Sequence, residues 1–191
     1  AYFGTSSGNV NNPAFVVKVR LSDFTRVGAV TLSFNEMIPT CAVIDTANGY
    51  AYFGIFDTIY KIVKVRLSDF TRVGAISPND GQLQFLRSAV IDTTNGFAYF
   101  GDSSGKVMKL RLSDFTVAGV LNLNSPVQHE DLLSAVIDTA NGFAYFGVNI
   151  PQGVAKVRLS DFTLVGFTAF SKGENNLTSA VIDTANGFAY F

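Results

Sequence analysis

The feature that most constrains this chain is an internal repeat of about 46 residues. The triplet IDT recurs at Ile44, Ile91, Ile137 and Ile182, at intervals of 47, 46 and 45 residues. The segment RLSDF recurs at Arg20, Arg66, Arg111 and Arg158, and AYF recurs at Ala1, Ala51, Ala98, Ala144 and Ala189. The 191-residue chain is therefore one unit written roughly four times, and each copy must fold by packing against its neighbours.

Each copy is predicted to form four short strands. The first is SAVID, as in residues 88–92, whose apolar run predicts a strand that is buried on both faces. A Thr-Ala-Asn-Gly or Thr-Thr-Asn-Gly turn, whose Asn-Gly pair can take the positive φ angles of a tight hairpin, leads to the aromatic second strand FAYFG. The third strand, KVRL, alternates charged and apolar residues, and a Ser-Asp-Phe-Thr corner leads to a fourth strand of the type VGAI. No segment shows a sustained helical period, so the predicted fold class is all-β.

A repeat of this length with four antiparallel strands is typical of one blade of a β-propeller. We therefore expect about four four-stranded blades, either complete in themselves or part of a longer array. Residues 1–191 are interpreted as a single propeller domain with a partial blade at 1–39 that residues 177–191 complete. The full blades are predicted at about 40–84, 85–131 and 132–176. The start at Ala1, without a methionine, indicates a processed or partial chain.

The VIDT-x-x-N-G core and its aromatic strand resemble the repeats of YVTN-type propellers, which are relatives of the NHL and WD-repeat families. The resemblance covers essentially the whole chain, although AYFG stands where that family has its YVTN strand. It implies the fold, but propellers host enzymes, receptors and scaffolds alike, so it does not select a function. With few blades, it also implies a narrow central channel, where the small residues Cys41, Ser88, Ser134 and Ser179 would lie at the head of each first strand.

Composition argues against several classes of function. The formal net charge is −1 and the basic residues are scattered singly, so nucleic acid is not expected as a partner. No apolar run is long enough to span a bilayer, which argues against membrane insertion. Cys41 is the only cysteine, which excludes an intramolecular disulfide and a cysteine-based zinc site.

The polar residues that recur in every copy have both a chemical and a structural interpretation. Repetition can gather Asp45, Asp92, Asp138 and Asp183 into a ring that holds a cation, but a side chain that caps the Asn-Gly turn is needed once per blade, and we favour that role. The arginine and aspartate of RLSDF are expected to form an ion pair rather than a catalytic pair. His129, the sole histidine, is placed in a surface loop. We predict no enzyme activity, no cofactor and no metal site.

The loops divide into a constant set and a variable set. The turns DTANG and SDFT barely change between copies, whereas the connections on the opposite face differ in length and composition. Variable loops on a rigid frame are where binding sites commonly lie. Phe34, Phe56, Tyr60 and Phe85 are the candidate aromatic contacts of this face for a carbohydrate or protein ligand.

The duplicated AYF segment predicts how copies of the chain associate. The predicted strands number 17, whereas a closed ring of four blades needs 16, and the surplus strand is AYF. The candidate assembly strands are Ala1, Tyr2 and Phe3 at one end and Ala189, Tyr190 and Phe191 at the other. We therefore expect a non-catalytic structural or interaction propeller, at the cell surface or outside the cell, that self-associates into a fibre-like assembly. The alternatives are a carbohydrate- or protein-binding propeller and, third, a propeller hydrolase or lyase with acids or histidine in its channel.

Overall fold

The computed structural model describes residues 1–6, 12–56, 60–77, 83–123 and 130–191. The regular secondary structure of these residues consists of 17 β-strands, which lie where the repeat predicts them. The all-β fold class is therefore confirmed. The described residues contain no helix that is long and apolar enough to cross a membrane.

The chain forms two compact units, residues 1–79 and 80–191. The first unit contains a three-stranded sheet, β1-β2-β3, and a four-stranded sheet, β4-β5-β6-β7. Its strands are β1 (Tyr2–Thr5), β2 (Phe15–Arg20), β3 (Thr25–Thr31), β4 (Ile38–Asp45), β5 (Tyr50–Phe56), β6 (Lys61–Arg66) and β7 (Thr71–Ile76).

The second unit contains two four-stranded sheets and a two-stranded hairpin. The sheets are β8-β9-β10-β11 and β12-β13-β14-β15, and the hairpin is β16-β17. The strands are β8 (Leu86–Asp92), β9 (Phe97–Asp102), β10 (Lys106–Arg111), β11 (Thr116–Asn122), β12 (Glu130–Asp138), β13 (Phe143–Ile150), β14 (Gly153–Arg158), β15 (Thr163–Ala169), β16 (Val181–Asp183) and β17 (Phe188–Tyr190). Each sheet corresponds to one complete or partial blade.

The first turn of each blade spans the four residues predicted for it, but only its glycine has the positive φ expected of the Asn-Gly pair. Asp45 pairs with Tyr50, so four residues connect the strands. Gly49 has a φ of 76°, whereas the φ of Asn48 is not positive. Hairpins of this loop length are usually built around a type I turn, in which one glycine provides the left-handed conformation. The asparagine contributes through its side chain instead.

The burial of the first strand also corrects the sequence prediction. In β8, buried residues alternate with exposed or partly exposed ones from Leu86 to Asp92, and β12 shows the same alternation. The SAVID strand therefore has one fully buried face rather than two. The apolar residues on its other face, such as Ala89 and Ile91, are only partly covered.

Successive blades pack through a glycine of the second strand. A Cβ atom on Gly101 would lie 2.9 Å from the Cβ of Leu132 and 3.1 Å from Phe146 of the next blade. A Cβ atom on Gly147 would lie 3.0 Å from Leu177 and 3.1 Å from Phe191. The nearest atom to each of these Cβ positions is the serine Oγ of the adjacent strand in the same blade, Ser88 at 2.6 Å and Ser134 at 2.5 Å. FAYFG therefore ends in glycine because this serine and the next blade both lie against it. The β16–β17 hairpin thus packs on the β12–β15 blade as a further blade would.

Candidate functional site

The aspartate that ends each first strand caps the turn that follows. Asp138 Oδ1 accepts a hydrogen bond from the backbone N–H of Asn141 at 3.1 Å, and its Oδ2 accepts one from Asn141 Nδ2 at 2.7 Å. The same pair of bonds joins Asp45 to Asn48, Asp92 to Asn95 and Asp183 to Asn186. These bonds stabilise the carboxylate, and the Asn141 and Asn186 side chains are the largest cause that lowers the pKa of Asp138 and Asp183.

The capping role predicted for these aspartates is confirmed. Both oxygens of each carboxylate accept a hydrogen bond within its own turn. Among the residues that the structure describes, no group of three or more His, Cys, Asp or Glu side chains is placed to hold a metal ion.

The RLSDF segment forms the corner between the third and fourth strands of each blade. Its arginine and aspartate pair, as predicted, at 2.9 Å in Arg20–Asp23 and at 3.3 Å in Arg158–Asp161. The aspartate also accepts from the threonine hydroxyl that follows, at 2.7 Å between Thr25 Oγ1 and Asp23 Oδ1. The threonine hydroxyl is the largest cause that lowers the pKa of the aspartates at three of these corners, which are Asp23, Asp69 and Asp114.

The phenylalanine of every RLSDF corner adopts a left-handed backbone conformation. The φ angle is 53° at Phe24, 52° at Phe70, 57° at Phe115 and 54° at Phe162. A bulky residue with positive φ is strained unless surrounding contacts hold it. The sequence does not indicate this conformation, because the segment contains neither glycine nor asparagine.

The corner phenylalanine fills a cleft on the preceding blade. The Phe162 ring lies 5.8 Å from the ring of Tyr99 and 5.5 Å from Lys109 Nζ, and Lys109 Nζ donates a hydrogen bond to the Leu159 carbonyl at 3.4 Å. Tyr99 is 1% exposed, and burial raises its pKa to about 12. We call this arrangement of tyrosine, lysine and corner phenylalanine a filled cleft.

The first unit contains a second filled cleft. The Phe70 ring lies 5.7 Å from the ring of Tyr2 and 5.6 Å from Lys18 Nζ. Lys18 Nζ is in turn 5.7 Å from the Tyr2 ring. The distances match those of the Tyr99 cleft, so the contact is a repeated feature of blade packing. The signal in the sequence was the lysine of each KVRL strand, which faces the aromatic residues of FAYF.

A third cleft with the same floor is open to solvent. Lys156 Nζ lies 3.9 Å from the Phe143 ring and 5.6 Å from the Tyr145 ring. The equivalent distances of Lys109 Nζ from the Phe97 and Tyr99 rings are 4.1 Å and 5.7 Å. The opposite wall consists of Asp183, Phe188 and their neighbours in the β16–β17 hairpin rather than an RLSDF corner. The cleft has a volume of about 350 Å³, whereas about 260 Å³ remains in the equivalent Tyr99 cleft beside its corner. We call it the open cleft.

The aromatic residues predicted for the variable face are only partly brought together. The rings of Phe56 and Tyr60 stack with their centroids 6.1 Å apart and their planes 26° apart. Phe34 is 63% exposed. Phe85 belongs to the second unit, where the Arg87 guanidinium lies 4.8 Å from its ring. Of the candidates in the first unit, Phe56 and Tyr60 therefore contact each other.

The terminal AYF strands differ in how their residues are used. Tyr2 packs on Phe70, and the Ala1 amino group donates a hydrogen bond to the Val19 carbonyl at 2.8 Å. Phe191 packs against Gly147. Phe3 and Tyr190 are each 57% exposed, whereas their equivalents in an internal blade, Phe100 and Tyr99, are 0% and 1% exposed. Ala189 lies in the centre of β17 and lines the open cleft.

The sole histidine, the sole cysteine and the small residues at the head of the first strands were also singled out in the sequence. His129 lies outside the described residues. Burial raises the pKa of the Cys41 thiol to about 12, so this thiol stays protonated at neutral pH. Ser88 Oγ donates to the Leu132 carbonyl of the next blade at 2.7 Å, whereas the buried Ser134 Oγ has no hydrogen-bond partner within the described part of the chain. Ser88 therefore forms a hydrogen bond across a blade interface.

The sequence does not indicate the buried ion pair between Glu36 and Arg72. Glu36 is 1% exposed, and its Oε2 accepts from Arg72 Nε and from the Ser33 backbone N–H, each at 2.8 Å. The pair ties the loop before β4 to the strand β7. Because the two residues are 36 positions apart, no local pattern indicates it.

Comparison with known proteins identifies the fold and leaves the family open. No protein-family model and no curated protein matches the chain. Among solved structures, hydrazine synthase of Kuenenia stuttgartiensis matches with a TM-score of 0.76 and 12% identity, over 92% of this chain and 48% of that one. The RRP9 WD40 repeats match with a TM-score of 0.63 and 10% identity, over 90% and 45% of the two chains.

A third similar structure, U3-55K, matches with a TM-score of 0.60 and 11% identity, over 70% of this chain and 40% of its own. The chain therefore spans somewhat less than half the length of these neighbours. At such low identity the likeness shows the fold alone. Together with the four-stranded sheets and the repeat, it shows that the chain is a β-propeller repeat protein of about four blades.

Proposed function

We propose that this protein is a non-catalytic structural or interaction propeller, a building block at the cell surface or outside the cell that self-associates into a fibre-like assembly. The resemblance to YVTN- and NHL-type repeats is part of this proposal. In support, the repeated carboxylates are committed to turns and corners. A catalytic site instead needs such groups gathered in a pocket with shifted pKa values.

One observation carries the self-association proposal, and it is a comparison between equivalent residues. Phe53, Phe100 and Phe146 are at most 2% exposed, whereas Phe3 is 57% exposed at the same position of the repeat. Tyr190 and its neighbours Val181 and Phe188 are exposed by 57%, 65% and 59%. Apolar side chains that internal blades bury are thus presented to solvent on the terminal strands, and exposed apolar patches commonly mark interaction surfaces.

Static light scattering and electron microscopy test this proposal directly. We expect the mass of the 191-residue chain to rise with concentration and elongated particles to form, since head-to-tail contacts do not close. Deletion of residues 1–4 removes Phe3 and most of β1, and it should shift the distribution towards monomers. A full-length chain that stays monomeric and is unaffected by the deletion would contradict self-association.

The stacked Phe56–Tyr60 pair favours a second candidate function, a carbohydrate- or protein-binding propeller. Its rings lie 6.1 Å apart at the end of β5, in the part of the blade that varies between copies. A glycan array probed with the wild-type chain and with Phe56→Ala tests this alternative. Binding that the substitution abolishes would support it, and the absence of binding to any glycan would leave only protein ligands for this surface.

A further inference from the structure

The RLSDF corner of the first blade presents an unusual surface. Leu21 is 71% exposed and Phe24 is 84% exposed. At the equivalent positions of the last complete blade, Leu159 is 7% exposed and Phe162 is partly buried. The backbone is the same, since φ is 53° at Phe24 and 54° at Phe162. The first corner therefore has the conformation of a corner that fills a cleft, while its apolar side chains face solvent.

The open cleft is the matching half of this contact. Its Tyr145 and Lys156 are the equivalents of Tyr99 and Lys109, which hold Phe162, and of Tyr2 and Lys18, which hold Phe70. Tyr145 is partly exposed, whereas Tyr99 is 1% exposed. The fourth strand agrees, because a Cβ on Gly119 would lie 3.6 Å from the Phe162 ring, while a Cβ on the equivalent Gly166 would meet nothing within 4 Å.

We infer that Leu21 and Phe24 of one molecule dock into the open cleft of a second copy of this chain. The inference rests on the self-association proposed above and adds a named contact to the exposed terminal strands. In this contact the Phe24 ring packs on Tyr145 and beside the Lys156 ammonium group. Lys156 Nζ donates a hydrogen bond to the Leu21 carbonyl, as Lys109 Nζ does to the Leu159 carbonyl.

The chemistry of the two surfaces supports a second copy as the occupant. The filled clefts show twice that an RLSDF corner satisfies a cleft of this composition, so the proposed interface continues one that already exists between blades. The cleft needs an aromatic ring for its tyrosine and a carbonyl oxygen for its lysine. The exposed corner supplies both. Because the exposed corner and the open cleft are different surfaces on different blades of the molecule, the contact is heterologous and can propagate.

The experiment measures the dissociation constant of self-association by sedimentation velocity. Phe24→Asp should raise this constant by about 30-fold or more, the change that corresponds to loss of a central aromatic hot spot. Lys156→Glu, at the floor of the cleft, should have an effect in the same direction. Val27→Asp is the matched control, because Val27 is 46% exposed on the neighbouring strand β3 and lies outside the corner. It should leave the constant within about two-fold of the wild-type value.

A mixture of the two variants makes the test specific. Phe24→Asp keeps an intact cleft and Lys156→Glu keeps an intact corner, so an equimolar mixture should form a one-to-one complex that neither variant forms alone. Circular dichroism of each variant confirms that it is folded. Phe24 is 84% exposed, so its substitution does not disturb a core.

The possible outcomes separate this inference from the proposal on which it rests. A wild-type chain that remains monomeric at all concentrations overturns both. Wild-type assembly that Phe24→Asp and Lys156→Glu leave unchanged overturns the corner contact alone and retains self-association through the terminal strands. A monomeric protein whose melting temperature falls in Phe24→Asp would show that the corner docks within its own chain, and would also overturn the inference.

Discussion

Two corners of this molecule have the same sequence and opposite surroundings. RLSDF occupies residues 20–24 in the first blade and residues 158–162 in the last complete blade. Phe24 is 84% exposed, whereas Phe162 packs on Tyr99 and Lys109 of the preceding blade. The local hydrogen bonds are equivalent, since Thr25 and Thr163 each donate a side-chain hydrogen bond to the corner aspartate.

The comparison separates what the local sequence determines from what the neighbouring blade determines. The corner conformation is the same in both places and depends on contacts within about five residues. The burial of its phenylalanine depends on a tyrosine and a lysine from another copy of the repeat. In a repeat protein, stability is divided between terms within each unit and terms at each interface between units. The two corners share the first term and differ in the second.

The first prediction concerns the tyrosine at the floor of the filled cleft and of the open cleft. Tyr99→Ala removes a tyrosine that is 1% exposed, and it should lower the free energy of unfolding by about 3 kcal/mol, as for other large buried aromatic residues. Tyr145→Ala, in the open cleft, should cost about half as much, because less surface returns to water. Urea denaturation at low protein concentration measures both. Equal losses would show that the two clefts are covered to the same extent.

The next effect concerns the corner phenylalanines themselves. Phe162→Asn loses the packing on Tyr99, and we expect a loss of about 2 kcal/mol in the free energy of unfolding. Phe24→Asn loses little packing and replaces a strained residue by one that tolerates positive φ, so the free energy of unfolding should be unchanged or rise by up to about 1 kcal/mol.

The matched pair has the same substitution in the same backbone conformation, and only the neighbouring blade differs. Thermal unfolding of dilute samples therefore measures the interface term directly. If Phe24→Asn destabilises the monomer as much as Phe162→Asn does, the corner of the first blade is not free, and the comparison drawn here is wrong.

Much of the fold was predictable because it depends on patterns that repeat. The period, the alternation in KVRL and the turn signals located all 17 strands in the described residues. The cap of Asp138 on Asn141 and the Arg158–Asp161 pair were predictable because partners three residues apart meet in any turn. The four-residue Thr-x-Asn-Gly turn was predicted correctly, but the expected positive φ of its asparagine was wrong, since the asparagine bonds to the aspartate and only the glycine is left-handed.

The open cleft could not be predicted from the sequence. Tyr145 and Lys156 have the same sequence context as Tyr99 and Lys109, so no local signal distinguishes an open cleft from a filled one. The left-handed φ of Phe24 was also hidden, since such a conformation is usually associated with glycine or asparagine. What differs between the copies is the element that packs against each cleft, and this information exists only in the three-dimensional structure.

A smaller effect tests whether the local term is the same in every copy. Gly96 and Gly187 have φ angles of 75° and 77° in equivalent turns, one between packed blades and one in the β16–β17 hairpin. Substitution of either glycine by alanine should cost about 1 kcal/mol, since positive φ is unfavourable for alanine. Gly74→Ala is the control, because a Cβ atom there meets nothing within 4 Å and the backbone is not left-handed. A much smaller cost at Gly187 than at Gly96 would show that the hairpin unfolds before the rest of its unit.

The smallest effect is the pH dependence of the turn caps. Asn141 lowers the pKa of Asp138 below its ordinary value of 3.8, so the folded protein binds this proton less readily than the unfolded chain does. The cap therefore contributes its full stabilisation above about pH 4, and the contribution is lost as the pH falls through the lower pKa of the folded state.

Asp138→Asn should cost about 1 kcal/mol at pH 7, the size expected for the hydrogen bonds it weakens. The difference in melting temperature between wild type and Asp138→Asn should then shrink as the pH falls below about 4. The terminal cap, Asp183, has its pKa lowered by Asn186 in the same way, so Asp183→Asn should show the same trend if the cap is a purely local term. A difference that stays constant down to low pH would mean that the carboxylate charge of Asp138 does not stabilise the turn.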